Sequence, residues 1–66
     1  MHITLNGEGK DVPDELTVRA LIEHLGLAGG PVAVEINLEV VPRAEHTARR
    51  VHAGDAVEIV HFVGGG

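Results

Sequence analysis

Thr17-Val18-Arg19-Ala20-Leu21-Ile22-Glu23-His24-Leu25-Gly26 is the stretch on which the fold turns. Thr17 is a good N-cap, because its hydroxyl can accept from a free amide of the first turn. Val18, Leu21, Ile22 and Leu25 then fall at i, i+3, i+4 and i+7, which is one apolar stripe of a helix. Arg19, Glu23 and His24 take the opposite side. Gly26 follows the last apolar residue, where a left-handed C′ residue is expected, and Leu27 is expected to fold back onto the helix end. A helix this short, with one apolar side, needs a second layer to cover it.

The flanking sequence supplies that layer as strands. Before the helix, Ile3 and Leu5 alternate with His2, Thr4 and Asn6, as in a half-buried strand. Gly7-Glu8-Gly9 reads as a turn and Lys10-Asp11-Val12 as a short return strand, ended by Pro13-Asp14-Glu15. After the helix, Gly29-Gly30-Pro31 is a loop, and Val32, Val34 and Ile36 alternate with Ala33 and Glu35 in a third strand. Asn37 to Glu39 reads as a turn and Val40-Val41 as a fourth, short strand. Pro42 removes a ladder donor and belongs at an edge or a strand end. Arg43 to Arg50 reads as polar and irregular, with room for one helical turn. Gly54-Asp55 is a turn, and Ala56 to Val63 is the last strand, with Val57, Ile59 and Val63 on one face. The order strand, strand, helix, strand, strand, strand predicts an α+β fold: a mixed sheet of about five strands with one main helix on one face.

The chain has 66 residues, enough for one small domain. Its apolar content of 44% suits a folded chain, and with Phe62 as the only aromatic the core must be built from Val, Leu, Ile and Ala. The absence of cysteine excludes disulfides, thiolate metal ligands and thiol nucleophiles of its own. No apolar run approaches the length of a membrane span and the start lacks a signal-peptide pattern, so a cytoplasmic protein is expected. Ten acids against five Lys and Arg give a formal charge of −5, which disfavours nucleic acid and serves either to steer the domain to a basic partner or only to confer solubility.

The chain closes on Gly64-Gly65-Gly66, a thin and extendable tail that adds nothing to a core. Residues 1–63 are therefore expected to be a handle for a tail of residues 64–66 that carries a free carboxylate on Gly66. Val60 and Phe62 are out of phase with Val57 and Ile59, which puts them on the sheet face away from the helix. Ordering the three tail residues costs about 3–6 kcal/mol. Burying Val60 and Phe62 against a partner returns about 1.5–3 kcal/mol each, so they are the expected partner-binding patch. The competing reading is that Phe62 fills the core.

The stretches Val34-Glu35-Ile36-Asn37, Val41-Pro42-Arg43, Gly54-Asp55 and terminal Gly65-Gly66 together resemble the ThiS family of sulfur carrier proteins. The resemblance covers the whole chain. Gly64 stands where the family often has another small residue, and His46 where some members carry tryptophan. The resemblance implies a ubiquitin-like, β-grasp fold. It also implies that the Gly66 carboxylate is adenylated by an E1-like (ThiF-type) adenylyltransferase and converted to a thiocarboxylate. The sulfur then goes to a ThiG-type thiazole synthase for the thiazole ring of thiamin. In that scheme Gly65 and Gly64 thread the partner's active site. The chain is no enzyme and has no catalytic residues of its own; it binds no cofactor stably, uses ATP and a sulfur donor through its partners, and is a monomer when free.

Two alternatives share the fold and the Gly-Gly end: sulfur carriage for molybdopterin or tRNA thiolation, and protein modification through an isopeptide bond. With Lys10 as the only lysine, chains linked through several lysines are excluded. His2, His24, His46, His52 and His61 lack metal-ligand spacing; most are expected to face solvent, with His61 on the core-side phase of the last strand. Gly29-Gly30-Pro31 lacks the Lys-Ser/Thr of a phosphate loop. Arg49-Arg50 reads as a solvated pair, and Arg43 either braces the fold or meets a partner.

Overall fold

The computed structural model describes residues 1–62; Val63 and Gly64 to Gly66 lie outside the described residues. Its elements are β1 (His2–Leu5), β2 (Glu8–Asp11), α1 (Val18–His24), β3 (Val32–Ile36), β4 (Glu39–Val41), a 3₁₀ turn (Arg43–Glu45) and β5 (Ala56–His61). The strands form one sheet in the order β2-β1-β5-β3-β4. β1 and β5 run parallel at the centre, and the other neighbours are antiparallel. With the helix joining the two hairpins, this is the expected β-grasp arrangement.

The helix forms as its sequence dictates. The Ala20 amide donates to Thr17 Oγ1 at 3.1 Å. Two further free amides of the first turn, Val18 and Arg19, donate to the carbonyls of Arg49 and His46 at 2.9 and 2.8 Å. Loop 43–50 thus closes the helix N-terminus, which would otherwise keep unpaired donors. At the other end Gly26 has φ +76°, with its amide on the Glu23 carbonyl and the Leu27 amide on that of Ile22, both at 3.0 Å. Those two bonds are the Schellman closure that a left-handed glycine permits.

The helix stripe of Val18, Leu21 and Ile22 packs on Ile3, Val34, Ile36, Val57 and Ile59 from the sheet, with Val12, Val41 and Val51 closing the margins. Every member of this core is Val, Leu or Ile, as the composition requires. Phe62 is 52% exposed, so it does not fill the core.

Several boundaries move. The first turn is Asn6-Gly7 rather than Gly7-Glu8-Gly9, with φ of +50° and +84°. Asn-Gly is the favoured pair for a two-residue hairpin turn, because both positions need positive φ. β2 therefore begins at Glu8, and all four of its residues are exposed. The β3–β4 turn is likewise tight, at Asn37-Leu38 with φ of +51° and +69°, which leaves Glu39 in β4. β4 is an edge strand and Pro42 follows its end, where a missing donor costs nothing. Strand β5 runs Ala56–His61 and Phe62 lies past its end, while the expected Val63 lies outside the described residues.

His46 corrects the expectation of a solvent-facing imidazole. It is 7% exposed, and its Nε2–H donates to the Val41 carbonyl at 3.0 Å. A ring able to satisfy its own polar edge on the backbone can be buried at little cost. His61 lies at the rim, exposed, with Nε2 only 2.9 Å from where a Cβ on Gly30 would stand. A side chain at Gly30 would have to displace the end of that exposed imidazole ring.

Candidate functional site

The end of β5 is the candidate site, because it delivers the chain to its glycine terminus. Along the strand Val57 and Ile59 are buried while Glu58 and Val60 are exposed. This strict alternation is what a sheet covered on one face imposes. Val60, 57% exposed, lies opposite Ala33 of β3 on the uncovered face. Phe62 follows on the same phase, and its amide donates to the Pro31 carbonyl at 3.0 Å, so the backbone is still held one residue beyond the strand. The two residues expected to form a patch are thus exposed on the face away from α1. Val40, 71% exposed, extends the apolar area on the neighbouring strands. Gly64, Gly65 and Gly66, the expected reacting and threading residues, lie outside the described residues.

Between the apolar positions runs an acidic row. Glu35 of β3 is directly opposite Glu58 of β5 and, on its other side, opposite Val40 of β4. The face therefore offers aliphatic contact interrupted by carboxylates, which suits a partner carrying apolar side chains and cations.

Two asparagines hold β5 in place, and sequence reasoning assigned neither this role. Asn6 Oδ1 accepts from the Ile59 amide at 2.9 Å while its Nδ2 donates to the Ile59 carbonyl at 3.2 Å. Asn37 Oδ1 accepts from the Ala56 amide at 3.0 Å and its Nδ2 donates to Asp55 Oδ1 at 3.1 Å. Both sit in left-handed turns, where asparagine is well tolerated. The turn signal was present at Asn6-Gly7; the reach of each side chain across the sheet was not.

The other feature missed is a cavity of about 160 Å³ between the start of α1, loop 28–32 and the 3₁₀ turn, lined by Arg19 and Arg43 together with His46 and Thr47. Arg49 and Arg50, the basic pair noted in the sequence, do not line it.

Comparison with known proteins now gives the chain its place. A solved structure of the thiamine biosynthesis protein ThiS from Geobacter metallireducens superposes with a TM-score of 0.85 at 40% identity, each chain covered in full. The sulfur carrier protein ThiS of Bacillus subtilis (strain 168) is 38% identical over 61 residues, which cover 88% of this chain and 92% of that protein. A thiazole synthase of Paramagnetospirillum magneticum (strain ATCC 700264 / AMB-1) is 44% identical over all 66 residues, and there the chain spans only 20% of the relative's length. The sequence profile of the ThiS family matches residues 3–66, and the chain belongs to that family.

Proposed function

We propose that this protein is a sulfur carrier of thiamin biosynthesis, acting through the carboxylate of Gly66. The observation that carries the reading is the family match, which runs through residue 66 and so includes the glycine pair. The likeness to a sulfur carrier over nearly its full length supports it, and the likeness to a stretch of a thiazole synthase favours the thiazole ring over molybdopterin or a tRNA base as acceptor.

The chemistry explains the tail. An α-carboxyl has a pKa of roughly 3.3–3.7, so at neutral pH it is an anion and a poor electrophile. One carboxylate oxygen attacks the α-phosphorus of ATP in an E1-like enzyme, and pyrophosphate leaves. Sulfide-level sulfur from a donor then attacks the acyl carbon, and AMP leaves with the bonding pair. The product is a thiocarboxylate, a sulfur nucleophile made without cysteine, which a thiazole synthase accepts. The acid, base and metal functions belong to those partners, so the chain is a co-substrate and no enzyme. Gly65 and Gly64 give the backbone the narrow section needed to enter a nucleotide site. Val60 and Phe62 supply the docking area that offsets the ordering of the tail.

The test is intact-mass measurement after incubation with the activating enzyme, ATP and a sulfur donor. Replacement of one C-terminal oxygen by sulfur is expected, and its absence together with absence of an adenylate refutes the reading. Phe62→Ala should weaken binding to the activating enzyme by about 10- to 100-fold while the fold persists, since about 1.5–3 kcal/mol of burial is lost.

A further inference from the structure

The chain carries ten acids and five Lys or Arg, yet the cavity between α1 and the 3₁₀ turn is lined by two of those arginines and no acid. Arg19 and Arg43 are 24 positions apart in sequence. They are brought together because the Arg19 amide donates to the His46 carbonyl at 2.8 Å and the 3₁₀ turn that starts at Arg43 leads directly into His46. His46 is itself buried and fixed to Val41, so this wall is rigid. Arg43 makes no ion pair among the described residues, and Arg19 has only a long contact, Nε to Glu23 Oε2 at 3.8 Å with both side chains about half exposed. Such an exposed pair holds its arginine weakly.

The opposite wall is Gly30, Pro31 and Val32. This is the loop that the end of β5 touches: His61 lies against Gly30, and the Phe62 amide donates to Pro31. The cavity therefore adjoins the point where the strand hands over to its terminus. A protein that receives the terminus must cover this rim.

We infer that the Arg19–Arg43 notch is a docking socket for a carboxylate side chain, aspartate or glutamate, of the enzyme that activates the terminus. Two arginines lining one cavity suit a carboxylate, whose two oxygens a guanidinium binds in bidentate fashion. A cavity of about 160 Å³, open on one side, admits the end of one side chain. The chain would then grip its partner with two surfaces of opposite character around the same exit: an apolar and acidic sheet face, and one basic socket. Such a pair of signs fixes orientation as well as affinity, because a partner rotated on the apolar patch would set like charges together. The inference rests on the proposed carrier function, since it needs an activating enzyme as partner.

The experiment measures affinity of the full chain for that enzyme at two salt concentrations, with thiocarboxylate formation followed by mass at saturating enzyme. Arg43→Gln and Arg19→Gln should each weaken binding on the order of tenfold and flatten its salt dependence. Arg43→Lys should fall between Gln and wild type, since it keeps the charge and loses the fork. Thr47→Glu, an exposed substitution in the same lining, should weaken binding by placing a competing carboxylate in the socket. Conversion at saturating enzyme should survive in all four. Wild-type affinity in both Gln variants, with wild type itself converted, overturns the socket and leaves the carrier reading intact. Selective capture of inorganic phosphate by the notch, with enzyme affinity unchanged in the variants, overturns it as well. Failure of wild type to bind or be converted overturns both readings together. Urea unfolding of each variant separates lost docking from lost fold.

Discussion

β5 is bound along its β3 flank as an antiparallel ladder from Ile36↔Val57 to Val32↔His61, whereas along its β1 flank the ladder consists of Thr4↔Ala56 and Leu5↔Val57 alone. Beyond Leu5 the first strand turns away at Asn6-Gly7, and the Asn6 side chain takes over, offering an acceptor and a donor to Ile59 as a further strand residue would. The carbonyls of Asp55 and Val57 and both backbone groups of Ile59 face this flank. By the same alternation those of His61 face it too, past the reach of Asn6. The difference teaches that the last turn of the strand before the terminus leans on one neighbour and one asparagine. The strand is anchored where the core needs it.

The sharpest way to break this comparison is to remove the side chain that replaces the missing rungs. Asn6→Gly keeps the left-handed turn and deletes both bonds to Ile59. Loss of two partly buried backbone partners should cost about 2–3 kcal/mol, read as a lower urea midpoint and a fall in Tm of roughly 10–20 °C. Amide exchange should speed up first at Ile59, and a change spread evenly over the sheet would contradict the anchoring role.

The matching change on the other flank is Asn37→Gly. Its bonds to Ala56 and Asp55 are exposed, and the β3–β5 ladder stays complete without them. The expected loss is about 1 kcal/mol by the same measurement. An effect as large as that of Asn6→Gly would show that both turns, and not the shortened β1 flank, set the stability of β5.

Local chemistry explains what could be read from the chain and what could not. The helix was legible from Thr17 to Gly26 because cap, stripe and terminator are neighbours in sequence. The buried faces of β3 and β5 were legible from alternation. β2 was displaced because Glu8, Gly9, Lys10 and Asp11 are all exposed at an edge, so no apolar period marks them. His46 was misplaced because what lets it be buried is a backbone carbonyl, that of Val41, which no residue type announces. Arg19 reads from the sequence as part of the helix's polar side and Arg43 as either a brace or a partner contact; only the packing of loop 43–50 on the helix N-terminus puts both on one cavity. Exposure of Val60 and Phe62 could be read from phase alone.

A third change should act in the opposite direction. Glu35 and Glu58 are directly opposite on the β3 flank, and like charges in such a pair repel. Glu58→Lys replaces repulsion with attraction on the uncovered face and should raise stability by about 0.2–1 kcal/mol at low salt, with the gain fading as salt is added. The same variant should bind the activating enzyme less well if this face meets cations. A gain in stability accompanied by unchanged binding would assign the acidic row to solubility alone.

The smallest effect lies at the far end of the β1 flank. There the Met1 ammonium donates to the Val12 carbonyl at 2.6 Å and pairs with Asp14 Oδ1 at 2.7 Å, tying the start of β1 to the segment after β2. The hydrogen bond from that ammonium, and then its charge, hold the Asp14 carboxyl below its ordinary pKa of 3.8, against a small opposing effect of burial. A carboxyl with a depressed folded-state pKa binds its proton more readily in the unfolded chain. Its contribution is therefore complete above the unfolded value and is lost as pH falls through the lower, folded one. Asp14 is exposed, so water and salt screen the pair and the effect on the urea midpoint should be slight. Asp14→Asn should unfold slightly more easily than wild type near about pH 5, and the two curves should converge toward about pH 2 as the wild-type carboxyl is protonated. A gap that persists at the acid end would mean that the side chain acts through shape or hydrogen bonding, and that β1 is pinned by the Val12 carbonyl alone.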